Sequence, residues 1–126
     1  MRFMMIVRAN KESESGAMPQ PELLEAMGRF NKVMIQAGVM LAGDGLQPSS
    51  KGARVHFTKG KPTVIDGPYI ESKELVGGYW MIQVRSQEDA IEWAKRAPML
   101  DGDMIEVRKV QELSEFPDEI QKALGR

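Results

Sequence analysis

Cysteine is absent from the 126 residues, and histidine occurs once. Without thiols there is no disulfide, no thiolate nucleophile, no cysteine-ligated zinc and no cysteinyl iron–sulfur cluster. A lone imidazole, with no carboxylates at ligand spacing, gives no metal-site pattern, and no cofactor is expected. Missing thiols fit a reducing cytoplasm. No apolar run approaches a membrane span, and Met1-Arg2-Phe3 leads straight into a short apolar strand instead of a signal peptide. Charge excess is missing as well. The 17 Lys and Arg stand against 18 Asp and Glu, a formal net charge of -1, whereas a general nucleic-acid binder needs a basic surplus. No Gly-x-Ser-x-Gly, Walker-type or dinucleotide-binding motif occurs, and Gly43-x-Gly45 is too short and isolated to count.

What is present describes a globular chain: 42% hydrophobic and 28% charged residues, at a length that fits one domain over 1–126. Arg2 to Arg8 is a strand without Gly or Pro. Ala9 to Gln20 is polar and small and predicts a loop. Pro21 opens a helix, where its missing N–H costs nothing. Leu23, Met27, Phe30, Met34 and Ala37 then form one apolar stripe, and Gly38 supplies the left-handed cap. Val39 to Ala42 predicts a second strand, running into Gly43-Asp44-Gly45, whose glycines suggest a bulge or a close backbone approach. Arg54–Thr58 and Pro62–Ile65 flank Lys59-Gly60 as a β-hairpin. Tyr79 to Arg85 alternates as a strand. Ser86 caps a helix that Pro98 ends, Met104 to Val110 is the last full strand, and a short helix is predicted within 116–124.

The order strand, helix, strand, inserted hairpin, strand, helix, strand is the split β-α-β pattern of a ferredoxin-like α+β sheet with helices on one face. In the first strand Phe3, Met5 and Val7 point one way and Met4 and Ile6 the other, yet both sets are apolar. Two helices cover only one face, and a bare apolar face costs roughly 25 cal/mol per Å². The expectation is a homodimer with the two sheets face to face.

These residues carry a resemblance. Val64-Ile65-Asp66-Gly67-Pro68-Tyr69-Ile70-Glu71-Ser72-Lys73-Glu74, then Gly77-Gly78-Tyr79, Ala90-Ile91-Glu92-Trp93-Ala94 and Ile105-Glu106-Val107-Arg108 resemble the YCII-related (YciI-like) family, in particular its DGPF branch. Tyr69 stands where the signature has Phe, and the likeness runs from Arg2 to about Val110, leaving a short extension after about 112. The resemblance implies a dimeric α+β barrel, two ferredoxin-like protomers enclosing a cavity between their sheets. Muconolactone isomerases, a YciI-like lactone dehalogenase and haem or quinol monooxygenases share that fold group, and some DGPF domains lie near or are fused to alternative sigma factors. The YciI branch is associated with a His–Asp pair whose His lies near the start of the first helix. Here Pro21 to Met27 contains no His, so that acid–base role does not carry over.

Six residues stand out as candidates. Asp66 can shuttle a proton from a partly dry cavity, or simply fix the bend before Gly67-Pro68. Asp44, between two glycines, either projects into the cavity or faces water. Lys73 can hold an anion as a point charge or, like Glu74 beside it, pair at the surface. Arg108 can clamp a substrate carboxylate in bidentate fashion, or pair with Glu106 to set dimer register. His56, alone in the hairpin beside Arg54, reads either as a solvated edge residue or as a catalytic one. The methionines read as core filler, and Trp80 and Trp93 as packing anchors. Two functions from different classes remain. One is a cofactorless, isomerase- or hydrolase-like enzyme acting on a small acidic metabolite. The other is a ligand-binding or regulatory module that performs no chemistry, linked to transcription.

Overall fold

The alternation in Arg2–Arg8 sets the architecture, because Phe3 and Met5 lie fully buried while Met4 and Ile6 on the other face are only partly covered. The structure is a computed structural model describing residues 1–69 and 74–125. In chain order the main elements are β1 (Arg2–Arg8), α1 (Lys11–Ser15), α2 (Pro21–Gln36), β2 (Met40–Gly45), β3 (Ala53–Thr58), β4 (Lys61–Asp66), β5 (Val76–Gln83), α3 (Gln87–Lys95), β6 (Ile105–Lys109) and α4 (Asp118–Ala123). Among the described residues, the strands form a four-stranded sheet in the order β2-β5-β1-β6 and a two-stranded sheet of β3 and β4. Every pairing is antiparallel. β1 and β2 are thus parallel around β5, and β5 and β6 around β1: two split β-α-β units, the expected ferredoxin-like order.

The apolar stripe of α2 lies against one sheet face. Phe30, Met34, Phe3, Met5, Trp80, Ile82, Val84 and Ala90 make the core. Phe30 meets Trp80 edge-on at 5.3 Å between ring centroids, and the Trp80 indole N–H donates to Asn31 Oδ1 at 2.8 Å. Gly38 takes φ 73° after α2. There the Gly38 N–H bonds to the Ile35 carbonyl and the Val39 N–H to that of Met34, both at 3.0 Å. That is a complete Schellman termination, with Val39 packed on the core beside Met34. Ser86 Oγ caps α3 by accepting from the Asp89 N–H at 3.1 Å.

Three local features differ from the sequence expectation. The segment Ala9 to Gln20 is not all loop, because Asn10 and Ser13 exchange side-chain-to-backbone bonds at 2.8 and 2.9 Å and nucleate α1. β5 starts at Val76, taking in Gly77 and Gly78. The bulge in β2 falls between Met40 and Ala42, at Leu41. Gly43 provides the close approach: a Cβ there would sit 2.6 Å from Cδ1 of Trp80. After β6 the chain is tied back by the two-pronged Arg2–Glu112 pair at 2.8 and 3.1 Å, which holds the Glu112 carboxyl below its usual pKa. Among the described residues, no helix is long and apolar enough to cross a membrane.

Candidate functional site

α2 and α3 supply Phe30, Met34 and Ala90 to the core on one face of the sheet, while on the second face Met4, Ile6, Tyr79 and Met81 are only partly buried, and strand register decides which side chains share it. Met4 lies opposite both Met81 and Arg108, and Ile6 opposite both Tyr79 and Glu106. Asp44 lies opposite Tyr79, and Ala42 opposite Met81. Alternation adds Arg8 to the same face of β1. Met4, Ile6 and Met81 therefore make an apolar floor, with charged and polar groups on both sides of it.

On the β6 side, Glu106 joins two guanidinium groups. Arg8 Nη2 donates to one of its carboxylate oxygens at 3.4 Å, and Arg108 Nη1 to the other at 3.2 Å. Such partly exposed pairs stabilise the fold little. Their interest is chemical: two cations share one anion, so the cluster keeps one unit of positive charge. Each Arg spends few of its five N–H donors on Glu106, which leaves donors for an incoming oxyanion. The Arg108 side chain is 69% exposed and that of Arg8 33%.

On the β2 side, the Tyr79 hydroxyl donates to Asp44 Oδ2 at 3.2 Å. This hydrogen bond, reinforced by the carboxylate charge, raises the Tyr79 pKa above its usual 10.0. Tyr79 and Glu106 flank Ile6 on successive strands, so the two polar clusters stand about 10 Å apart. A raised folded-state pKa means that the stabilisation from this bond is complete below the ordinary tyrosine range and is lost as pH rises through the raised value. Two tyrosines are present. In a spectrophotometric titration, Asp44→Asn is expected to bring one of the two phenol transitions to lower pH. A titration curve unchanged by the substitution would show that Asp44 does not hold Tyr79 in solution.

Of the sequence candidates, the fold brings Asp44 and Arg108 onto one face. Asp66 and His56 lie elsewhere, on opposite faces of the β3–β4 hairpin. His56 Nδ1 is 3.1 Å from Thr58 Oγ1 and is exposed. Asp66 ends β4 opposite Ala53. Its loop is held by backbone instead: the Gly67 N–H donates to the Gly52 carbonyl at 3.1 Å, and the Tyr69 N–H to Ser49 Oγ at 3.2 Å. Ser49 in turn bonds through its N–H and hydroxyl to the Glu14 carboxylate, tying the loop to α1. Glu74 is exposed just before β5, and Lys73 lies outside the described residues. Sequence reasoning did not single out Arg8 or Tyr79 as site residues. The strand alternation that grouped Met4 with Ile6 also reaches Arg8, which was the available signal.

A recess of about 520 Å³ lies away from this face, between the end of α2 and α3. Arg85, Asp89, Glu92 and Arg96 line it in balanced charge, so it has no net preference for an ionic ligand. Among the described residues, no group of three or more His, Cys, Asp or Glu is placed to hold a metal ion.

Comparison with known proteins bears on the whole of this arrangement. The family model of the YCII-related domain matches residues 1–114, a stretch that includes all six strands and both polar clusters. An uncharacterized protein of Rhizobium meliloti (strain 1021) is 26% identical over 89 residues, covering 68% of this chain and 72% of that protein.

Proposed function

The chain belongs to the YCII-related family, and from that premise we propose that two copies bring their open sheet faces together around a cavity that holds a small acidic metabolite. The observation that carries this reading is the shared face of Arg8, Glu106 and Arg108 across an apolar floor from Tyr79 and Asp44. An anionic group sits against the free donors of Arg8 and Arg108, in the planar geometry that suits a carboxylate. The apolar body lies over Met4, Ile6 and Met81. At the far end the Tyr79 hydroxyl turns its single proton from Asp44 to a ligand oxygen, which frees the Asp44 carboxylate to take up a proton from the ligand, the demand of a cofactorless isomerase- or hydrolase-like reaction. Pairing of the faces also removes the floor from water, which strengthens each polar contact in the cavity.

Within the family, Asp66-Gly67-Pro68-Tyr69 supports placement in the DGPF branch, and the cysteine-free composition supports a cytoplasmic location. Asp66, His56 and Glu74 take no part in this reading. A second reading is a module that binds the same acid without converting it, and α2 favours it, since Pro21–Gln36 carries no His to act as acid or base.

The test is a thermal-shift and calorimetric screen of aromatic and lactone-derived carboxylates, each beside its neutral amide. A carboxylate present at 100 times its Kd should add about 2.7 kcal/mol of stability. Arg108→Gln is expected to weaken that binding by about tenfold or more, the worth of one charge-assisted hydrogen bond, and the amide to bind poorly in both proteins. Acids that bind Arg8→Gln and Arg108→Gln as well as the parent would remove the site. With a bound acid in hand, product formation separates the enzyme from the module.

A further inference from the structure

Among the described residues, the β3–β4 hairpin leaves one largely apolar face exposed. Register places Ala53, Val55, Phe57, Pro62 and Val64 on one side, with Asp66 at its root, and Arg54, His56, Thr58, Lys61, Thr63 and Ile65 on the other. Along a two-residue turn with both φ values positive, at Lys59 (52°) and Gly60 (79°), the strands meet in the tight twisted form that hairpins favour. Yet Val55 is 54% exposed, Phe57 69% and Val64 65%, and the extensive contacts of these strands are with each other. An isolated two-stranded ribbon is marginal in water, so an amphipathic ribbon of this length calls for a cover over its apolar side.

The base of the hairpin, by contrast, is fixed. Gly67 bonds to Gly52, Tyr69 to Ser49, and Ser49 to Glu14. The Arg54 guanidinium stacks 3.8 Å from the centre of the Tyr69 ring, on the polar side of the blade. A blade set rigidly at its root and bare on one face is preorganised to dock.

Charge identifies what it docks on. Residues 51–66 carry four Lys and Arg (Lys51, Arg54, Lys59, Lys61) against one acid (Asp66), whereas the rest of the chain carries 13 against 17. A basic arm thus extends from an acidic body, with Lys59 at its tip and Arg54 and Lys61 on the side away from the apolar face. Area points the same way. Four strands of about six residues present a face of roughly 20 by 20 Å, about half of the ~800 Å² per partner of an ordinary stable interface. The sheets alone therefore fall short of a firm dimer. We propose that the β3–β4 hairpin is a clasp, which lays Val55, Phe57 and Val64 on the acidic body of a second copy of this chain. The proposal rests on the two-copy reading above and adds the element that secures it.

The missing cysteines make the experiment clean. Phe57→Cys gives the full-length protein a single thiol, to which a benzophenone photocrosslinker is attached, and ¹⁴N- and ¹⁵N-labelled copies are mixed before illumination. Crosslinked peptides from the arm are expected to join a light copy to a heavy one. In sedimentation equilibrium Phe57→Ser/Val64→Ser should weaken dimerisation by about 30-fold, the scale of a central interface anchor. Because that variant can unfold the ribbon, Lys61→Glu provides a second reading that keeps the apolar face. It is expected to weaken the dimer at low salt and to approach the parent as salt screens the charges. Crosslinks confined to one copy, or parental affinity in both variants, would overturn the clasp while leaving face-to-face pairing in place. A parent that stays monomeric at about 50 µM, far above an ordinary dimer Kd, would overturn both.

Discussion

Gly67→Ala is expected to lower the unfolding free energy by about 3 kcal/mol, seen as a fall of roughly 10 °C in Tm. The added methyl would lie 1.8 Å from the Ser49 carbonyl oxygen and 2.6 Å from its carbon. Both are backbone atoms, so no change of rotamer relieves the clash. Ser49 must retreat, and its retreat pulls on the bonds to Glu14 and on the Tyr69 N–H that its hydroxyl accepts. Gly45→Ala is the control, since its Cβ meets nothing within 4 Å and should change stability by less than about 0.5 kcal/mol. Urea titrations of the two variants make the comparison. Equal midpoints would mean that the Asp-Gly-Pro loop does not rest on Ser49 in solution.

Trp80→Ala is expected to cost more, about 4 kcal/mol. The ring is only 6% exposed, stacks edge-on with Phe30 and occupies the space that Gly43 leaves open. Truncation leaves a cavity between α2 and the central strands and strips Asn31 of its indole partner. Trp80→Phe separates the two contributions. It keeps most of the apolar volume and loses the N–H, so its cost should be the smaller, about 1–2 kcal/mol. Denaturation monitored by far-UV circular dichroism measures both, and a phenylalanine variant as unstable as the alanine one would locate the energy in the hydrogen bond instead of the packing.

Periodicity made the ferredoxin-like order legible. The stripe from Leu23 to Ala37, the Pro21 start and the Gly38 stop frame α2, and the two-sided apolar pattern of β1 marks a sheet with one face to spare. α1 was not legible by that route, because Lys-Glu-Ser-Glu-Ser has no apolar face, and its helix depends on the Asn10–Ser13 exchange. Gly77 and Gly78 precede the strand expected from Tyr79 but lie inside β5. The Gly78 backbone runs so close to Asp44 that a Cβ would come within 3.0 Å of the Asp44 carbonyl oxygen. The candidate site divides in the same way. Asp44 and Arg108 stand out from their own surroundings and Arg8 lies within reach of the β1 alternation, whereas Tyr79 gains meaning only from cross-strand register, which depends on strands far apart in sequence.

The place of β1 between β5 and β6 has a consequence for how the chain is made. β1 is synthesised early, while both of its neighbours come late. At ordinary translation rates, about 4–20 s separate the appearance of β1 from that of the strands that pair with it. During that interval two large apolar side chains on an extended segment have no sheet to join. The fold closes only when β6 arrives, so the sheet forms from its ends inward, at the pace of long-range pairing instead of local helix formation. Substitutions that raise the polarity of Met4 or Ile6 would ease that wait, at the cost of the apolar floor that the finished sheet presents.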